Sequence, residues 1–512
     1  LGSRASRGRA SRPLTRVDNS IRLLCFMPAL RRIWVLVLLS VVSIGLTACS
    51  RSPYPERPNI LLITVDTLRA DHLSSYGYPR STSPVIDRLA IEGVRFESAS
   101  VQWPKTGPSF ASMFTATYPK DNGIVRKVGI PMPQRFRMLA EVLRDQGYET
   151  HAVVSNGAVG SEFGFSQGFD TYLESWKSPP PTPDDDNTAA ATVNELANAI
   201  ISGLDGSKPY FLWIHYLDPH APYTPPGEWS DRFQNDEWYS PEPRIEIRRD
   251  RPRQQMTAIG HTQVLDGRDE LGFYIARYDA EIAYADHHLG TLLETLEDRG
   301  LMDKTMTVFT SDHGESLGEH YYYFDHGRFG FQTCVRVPFI VHFPGVVPAG
   351  VDSQPVELID LAPTLLEAAG VELDDRAWMQ GRSLAPRLWP GEGRPETPNY
   401  AFTEAGYGEN RQWLKIVRDR RFKLTNATVA ADQRWIGGPD VPWILYDLDN
   451  DPGELENVVE KFPAEFRRLR NALRDWWNQP PFDVEIDTGA EAEPREMDER
   501  TREQLKALGY LQ

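Results

Sequence analysis

Three apolar runs, each ending at an acid or a histidine, constrain this chain more than any other feature. Asn59-Ile60-Leu61-Leu62-Ile63-Thr64-Val65 runs into Asp66, Tyr210 to His215 ends on its histidine, and Met306 to Thr310 leads through Ser311 to Asp312. Unbroken aliphatic and β-branched runs of this length belong to strands covered on both faces. Thr150 to Val154 is a fourth such run, and helical stretches at Arg137 to Gln146 and Ala283 to Arg299 lie between the strands. Strand and helix alternation predicts an α/β fold with helices flanking the sheet. Ligands of open α/β sheets collect at the carboxyl ends of strands, so Asp66, His215 and Asp312 are expected to share one site.

A chain of 512 residues exceeds a single core, so a large domain and a smaller one are expected. The large one is assigned to residues 58–390. Beyond it the texture shifts to short strands at Trp413 to Arg418, Arg421 to Leu424 and Leu445 to Leu448, then a helix from Ala464 to Trp477. Residues 391–512 therefore read as a small antiparallel sheet with a packed helix. Ser178 to Asp186 and Glu228 to Gln263 are polar, Pro-punctuated insertions expected at the surface, and Gly489 to Arg500 is an acidic loose stretch.

At the N-terminus, Arg31-Arg32 precedes an apolar run from Ile33 to Leu46 that ends in Leu46-Thr47-Ala48-Cys49. The run is short for a membrane-spanning helix, and small residues precede the cysteine, so residues 27–48 read as a lipoprotein signal with Cys49 as the lipidated residue. An uncleaved anchor helix is the alternative. Residues 1–26, rich in Arg and Ser, read as an untranslated or disordered leader, and 49–57 as a tether. The expected location is a bacterial cell envelope, with the folded part exported and held to the membrane by its lipid. Residues 1–48 carry eight Arg and one Asp; without them 47 basic side chains face 71 acidic ones, a formal charge of −24. Such a surface repels nucleic acid backbones. Of three cysteines only Cys334 lies in the folded part, which excludes a disulfide framework and leaves Cys334 as a small buried hydrophobe.

Four segments carry residue types that a metal-dependent ester-cleaving site needs: Asp66 to His72, Thr106 to Phe110, His215 to Tyr223, and Asp312 to His320 continuing through His326 and Arg328. Pro108 and Ser109 suggest that Thr106 opens a helix, with its hydroxyl near the helix N-terminus. A threonine hydroxyl is a weak nucleophile and needs a metal or a base to become an alkoxide. A divalent ion held by Asp66, Asp312 and His313 supplies this, and the Asp-His donor set favours zinc or manganese over calcium or magnesium. His220 and His326, with Asp218, are candidates for a second ion; alternatively the two histidines contact the ester and protonate the leaving group. Arg328 is an anion-binding candidate. Structural readings stand beside these: Asp66 as a helix cap, His215 as a satisfied core histidine, Thr106 as a cap, and Lys105, Arg126 and Lys127 as ordinary surface cations.

The stretch Thr106-Gly107-Pro108-Ser109-Phe110 through Thr115-Ala116-Thr117-Tyr118-Pro119 resembles the signature of the sulfatase family within the alkaline phosphatase superfamily. Pro58 to Arg69, Asp218 to Tyr223, Ser311 to Glu315, Val335 to Pro338, Ile359 to Leu366, Leu445 to Leu448 and Leu505 to Leu511 are similar to family segments in the same order. The resemblance implies an alkaline-phosphatase-like mixed sheet and a metal bound by Asp66, Asp312, His313 and the Thr106 oxygen. It also implies that His220 and His326 lie near the ester. Departures matter equally. Threonine stands where the family carries a cysteine or serine that matures to formylglycine, Thr67 where a second metal-binding Asp is usual, and His313 where Asn is frequent. Phe110 replaces an arginine, and Ser155-Asn156-Gly157 replaces a lysine-containing segment, which makes Asn156 a substrate-binding candidate with His215.

These departures are similar to the threonine branch of the superfamily. The expected function is a sulfatase-like hydrolase of sulfate or phosphate esters, with phosphorus favoured by the nucleophile. A phospho-group transferase acting on envelope glycans or lipids is the second reading, and an inactive glycan-binding scaffold the third.

Overall fold

In the computed structural model the described residues are 57–125, 131–179, 190–252, 256–371, 378–388, 400–406, 414–427, 442–479 and 497–511. Cys49 with the whole leader and most of the tether, Arg126, Lys127, residues 180–186 of the first insertion and 489–496 of the acidic stretch lie outside them. Among the described residues no helix is long and apolar enough to cross a membrane.

A nine-stranded mixed sheet forms the centre. Its strands are β1 (Asn59–Val65), β2 (Val94–Ser100), β3 (Glu149–Val154), β4 (Thr171–Glu174), β5 (Tyr210–Tyr216), β6 (Thr305–Ser311), β7 (Arg336–His342), β8 (Gly350–Asp352) and β9 (Val356–Glu357). The order is β8-β2-β7-β6-β1-β5-β3-β4, with β9 also on β2. β7 runs antiparallel to both its neighbours, and the other pairings are parallel. The four apolar runs of the sequence are thus β1, β3, β5 and β6, side by side in the middle. Successive side chains of a strand face opposite ways, and here they feed two different cores. Ile60 and Leu62 join one, with Phe211 and Trp213, while Leu61, Ile63 and Val65 join the other, with Leu212 and Ile214. Fully burying one such side chain stabilises the fold by about 1.5–3 kcal/mol, which explains why polar residues are scarce along these runs.

Helices cover both faces. On one lie α2 (Thr106–Thr115), α3 (Leu139–Asp145) and α6 (Leu361–Ala368), and on the other α1 (Pro84–Glu92), α4 (Ala190–Gly203) and α5 (Leu271–Asp298). Helix α5 starts twelve residues earlier than the Ala283 expected from sequence. The insertion Glu228 to Gln263 does not float free: Phe233 packs on Ala276, Ala280 and Ala283 of α5, and Asp236 receives Arg80 Nε at 2.7 Å and Nη2 at 2.9 Å.

The C-terminal sheet is antiparallel, β10 (Ala401–Ala405), β11 (Leu414–Arg418), β12 (Phe422–Asn426) and β13 (Trp443–Asp447) in that order. Helix α7 (Pro463–Trp477) sets Leu469, Leu473 and Trp476 on one stripe against Val417, Leu424 and Leu445. The opposite face of the same sheet, through Leu414, Ile416 and Tyr446, joins the large core beside α2. A last helix, α8 (Glu499–Ala507), buries Leu505 in that core as well.

Candidate active site

Most of the cluster sits where strands of the central sheet give out. Asp66 follows β1 and His313 and Asp312 follow β6, whereas Asn156 follows β3 and His220 lies in the turn after β5. Thr106 is the first residue of α2, whose ten residues are all buried. Pro108 fits that first turn because its missing N–H has no intrahelical partner there. Ser109 Oγ donates to Asp312 O at 2.6 Å and pins the helix to the end of β6.

Three ligand atoms converge. Asp66, Asp312 and His313 each place a donor atom within 4.8 Å of the others, and all three are fully buried. His313 Nδ1 lies 3.0 Å from Gly314 O; a carbonyl only accepts, so Nδ1 carries the hydrogen and Nε2 turns a lone pair to the cluster. Around that nitrogen lie Thr106 Oγ1 at 3.2 Å, Asp312 Oδ2 at 3.3 Å and Asp66 Oδ1 at 3.8 Å. Neither Asp66 Oδ1 nor Asp312 Oδ2 has a hydrogen-bond partner. Buried carboxylate oxygens without donors are costly, and a divalent cation among them removes that cost, so this donor set fits one. The residues that would hold it are Asp66, Asp312, His313 and Thr106.

The titration of the cluster follows the same geometry. Burial, and next the charge of Asp66, hold the Asp312 carboxyl well above the usual carboxylate range. Burial also pushes Asp66 up, but the His215 hydrogen bond and the electrostatic influence of the imidazoles of His220, His313 and His215 bring it net below its ordinary value. Burial, and next the charge of His326, hold His313 well below the usual imidazole range, so it is neutral and ready to ligate.

The other expected residues fall into separate places. Asn156 Nδ2 donates to Asp66 Oδ2 at 2.6 Å while its Oδ1 accepts from Ala158 N at 2.9 Å, which fixes the amide orientation. His215 is fully buried behind Asp66, with Nε2 at 3.5 Å from Asp66 Oδ2 and the edge of Phe110 against its ring. It backs the carboxylate from within the protein. His220 and His326 face each other with ring centroids 5.6 Å apart, and His326 lies 4.1 Å from His313. His326 Nδ1 meets Glu315 Oε1 at 3.3 Å. Arg328 is half-buried and sets its guanidinium over Phe329. Asp218, considered for a second ion, accepts from Ala190 N at 3.0 Å and caps α4. Thr67 adopts φ 54°, a left-handed conformation rare for a β-branched residue, and its N–H reaches Asp312 Oδ1 at 3.3 Å.

Two residues escaped the sequence reading. Lys105 is no surface cation: it is 2 % exposed, and its stem packs so closely on Gly327 that a Cβ there would lie 2.1 Å from Lys105 Cε. Its place next to Thr106 was the available signal. Tyr510 arrives from the far end of the chain and puts its hydroxyl 3.0 Å from Thr106 Oγ1, 3.2 Å from Asn156 Nδ2 and 3.4 Å from His220 Nε2. Its only sequence signal was membership of the Leu505 to Leu511 segment.

The sulfatase family model matches residues 58–371, more than half of the chain. The chain belongs to the sulfatase family. As a family member it is a hydrolase, and a second model, the C-terminal region of N-sulphoglucosamine sulphohydrolase, matches residues 318–479 of this sulfatase-family chain. An N-acetylglucosamine-6-O-sulfatase of Bacteroides thetaiotaomicron is 26% identical over 522 residues, covering 85% of this chain and 89% of that protein. A solved structure described in complex with its substrate D-glucosamine-2-N,6-O-disulfate aligns at 23% identity with a TM-score of 0.66, covering 85% of this chain and 100% of the other. The phosphonate monoester hydrolase of Silicibacter pomeroyi aligns at 23% identity with a TM-score of 0.64, covering 83% of this chain and 96% of the other. The two structural likenesses bear out the expected fold, a mixed sheet between helices with a small antiparallel sheet.

Proposed function

We propose that this sulfatase-family hydrolase cleaves phosphorus esters, phosphodiesters or phosphonate monoesters, with the unmodified Thr106 hydroxyl as nucleophile; sulfate esters are the competing substrate class. The observation that supports it is the placement of Thr106 Oγ1 at the mouth of the Asp66, Asp312 and His313 set, 3.2 Å from His313 Nε2. When bound there, a divalent cation supplies positive charge that favours the threonine alkoxide and the charge developing on the ester oxygens. Zinc or manganese suits the mixed carboxylate and imidazole donors.

With its hydroxyl proton lost to solvent, Thr106 Oγ attacks phosphorus in line, and the bond from phosphorus to the leaving oxygen breaks as the bond to Thr106 forms. His326, with Nδ1 on Glu315, delivers the proton to that leaving oxygen from Nε2. His220 Nδ1 donates to Ala221 O at 2.7 Å, so its Nε2 faces the site as a proton acceptor. His326, now neutral, takes a proton from water as that water bonds to phosphorus, and the bond from phosphorus to Thr106 Oγ breaks. Asn156 holds Asp66 in place throughout, and His215 supports it from behind. Cys49 would tether this chemistry to an envelope membrane, which places glycan or lipid esters within reach; a Cys49→Ser chain would then leave the detergent phase.

The test uses the full chain with bis(4-nitrophenyl) phosphate, 4-nitrophenyl phenylphosphonate and 4-nitrophenyl sulfate. Phosphorus substrates are expected to turn over faster, Thr106→Ala to lose at least about a thousandfold, and rapid acid quench to trap phosphate on the Thr106 peptide. Full activity in Thr106→Ala would remove the nucleophile assignment. Preference for the sulfate would reverse the substrate assignment, and transfer to added glycerol in preference to water would make the enzyme a transferase.

A further inference from the structure

The C-terminal segment is fastened beside the active site by specific contacts as well as by Leu505 in the core. Trp176 Nε1 donates to Thr501 Oγ1 at 3.1 Å, Lys177 pairs with Asp498 at 2.6 Å, and Gln504 Nε2 donates to Ser155 O at 2.8 Å. Gly157 lets α8 come close: a Cβ there would lie 2.6 Å from Gln504 Oε1 and 3.3 Å from Leu505 Cγ. Ser155, Asn156 and Gly157 are consecutive, and each makes its own accommodation to the same segment. The turn after α8 then aims Tyr510 inward, with its ring stacked on His220 at 5.9 Å and 25°.

Hydrogen-bond roles at the phenol follow from its neighbours. The Asn156 amide is oriented by Ala158 N–H, so it donates to Asp66 Oδ2 and to the Tyr510 oxygen. Having accepted there, Tyr510 has its own hydrogen to give, and Thr106 Oγ1 and His220 Nε2 stand at 3.0 and 3.4 Å to receive it. An ester seated at Thr106 for in-line attack brings a non-bridging oxygen into that neighbourhood, and an anionic oxygen is the stronger acceptor.

We propose that Tyr510 is a substrate-binding residue supplied by the C-terminal segment, its phenol donating a hydrogen bond to a non-bridging oxygen of the ester bound at Thr106. The chain Asn156 to Tyr510 to ester oxygen makes a neutral donor arm, so the last helix belongs to the catalytic machinery. This rests on the reading of Thr106 as nucleophile.

The experiment compares wild type, Tyr510→Phe, Leu505→Asp and Thr106→Ala as full chains, with bis(4-nitrophenyl) phosphate as substrate and orthophosphate as inhibitor. Tyr510→Phe keeps the ring, its stacking and the docked helix, so its unfolding temperature should match wild type. Its kcat/KM is expected to fall roughly 10- to 100-fold and the orthophosphate inhibition constant to rise at least about tenfold, as for a lost hydrogen bond to a charged group. The pH profile should keep its shape, because a neutral donor adds no ionisation. Leu505→Asp, which undocks α8 from a distance, should lose as much. Wild-type kcat/KM and phosphate inhibition in Tyr510→Phe would overturn the proposal, and so would a loss confined to Leu505→Asp. Activity in Thr106→Ala would instead remove the nucleophile, whatever Tyr510→Phe does.

Discussion

Filling the Asp66, Asp312 and His313 site with a divalent cation is expected to release one proton. Asp312 is held well above the carboxylate range by burial and by Asp66, whereas Asp66 is held below it and His313 is neutral. The cation-free pair of carboxylates therefore shares a proton, and ligation by both must expel it. While that proton is present, each unit rise in pH strengthens the apparent affinity about tenfold, or about 1.4 kcal/mol. The linkage to stability has the opposite sign. An acid with a raised folded pKa binds more protons folded than unfolded, so the cation-free protein loses stability as pH climbs from the ordinary carboxylate value towards that of Asp312. The assay is calorimetric titration of chelator-treated full chain with manganese near pH ~6, in two buffers of different ionisation heat, giving the proton count per cation. Asp312→Asn should bind more weakly and release no proton. An affinity in wild type that stays flat with pH, with no proton released, would refute the shared-proton account.

Other perturbations test the frame around the site. Asp279 is fully buried and takes His72 Nδ1 at 2.7 Å, Tyr78 Oη at 2.6 Å and Arg80 Nη1 at 2.8 Å, so Asp279→Ala deprives three buried donors of their shared acceptor, leaves Arg80 to Asp236 alone, and should cost about 3–5 kcal/mol in chemical denaturation. Asn156→Leu removes the 2.6 Å donor that orients Asp66 and should weaken cation affinity about 10- to 100-fold, read by competition with a metal dye. Gly327→Ala adds a Cβ 2.1 Å from Lys105 Cε at a position with φ 89°, and should lower stability by about 1–3 kcal/mol and displace Lys105, read by thermal unfolding.

Legibility in the sequence followed the range of the interactions. Strands β1, β3, β5 and β6 announced themselves because burial on both faces forbids polar residues, and Asp66 and Asp312 were found because they end such strands. Strand β2 did not, because the half-buried Arg95 and Glu97 alternate with its apolar residues, and in β7 Pro338 breaks the run. The capping role of Asp218 was not legible, because its place beside His220 says nothing of the backbone N–H at Ala190 that donates to its Oδ2. Lys105 looked like a surface cation since nothing local signals that Gly327, far along the chain, gives its stem a groove. Tyr510 and Thr106 are 404 positions apart, and no periodicity or spacing links such a pair.

Position 110 shows why the departures from the family pattern hang together. Phe110 is fully buried, with its ring 4.9 Å from both Trp213 and His215, and it belongs to the core beneath the sheet end, not to the pocket above it. His215 in turn stands 3.5 Å from Asp66, so the phenylalanine fixes the back wall of a cluster carboxylate through one intervening ring. A guanidinium at this position would have to desolvate in an aromatic environment, at a cost of several kcal/mol unless paired. On the pocket side, the uncharged Asn156 amide and the Tyr510 phenol occupy the space next to Thr106. An aromatic back wall and neutral donors in front leave the two carboxylates, with the cation they fit, as the main source of charge at Thr106, the proposed nucleophile. That polarity suits an oxygen nucleophile of ordinary threonine, whose activation depends on the charge immediately beside it.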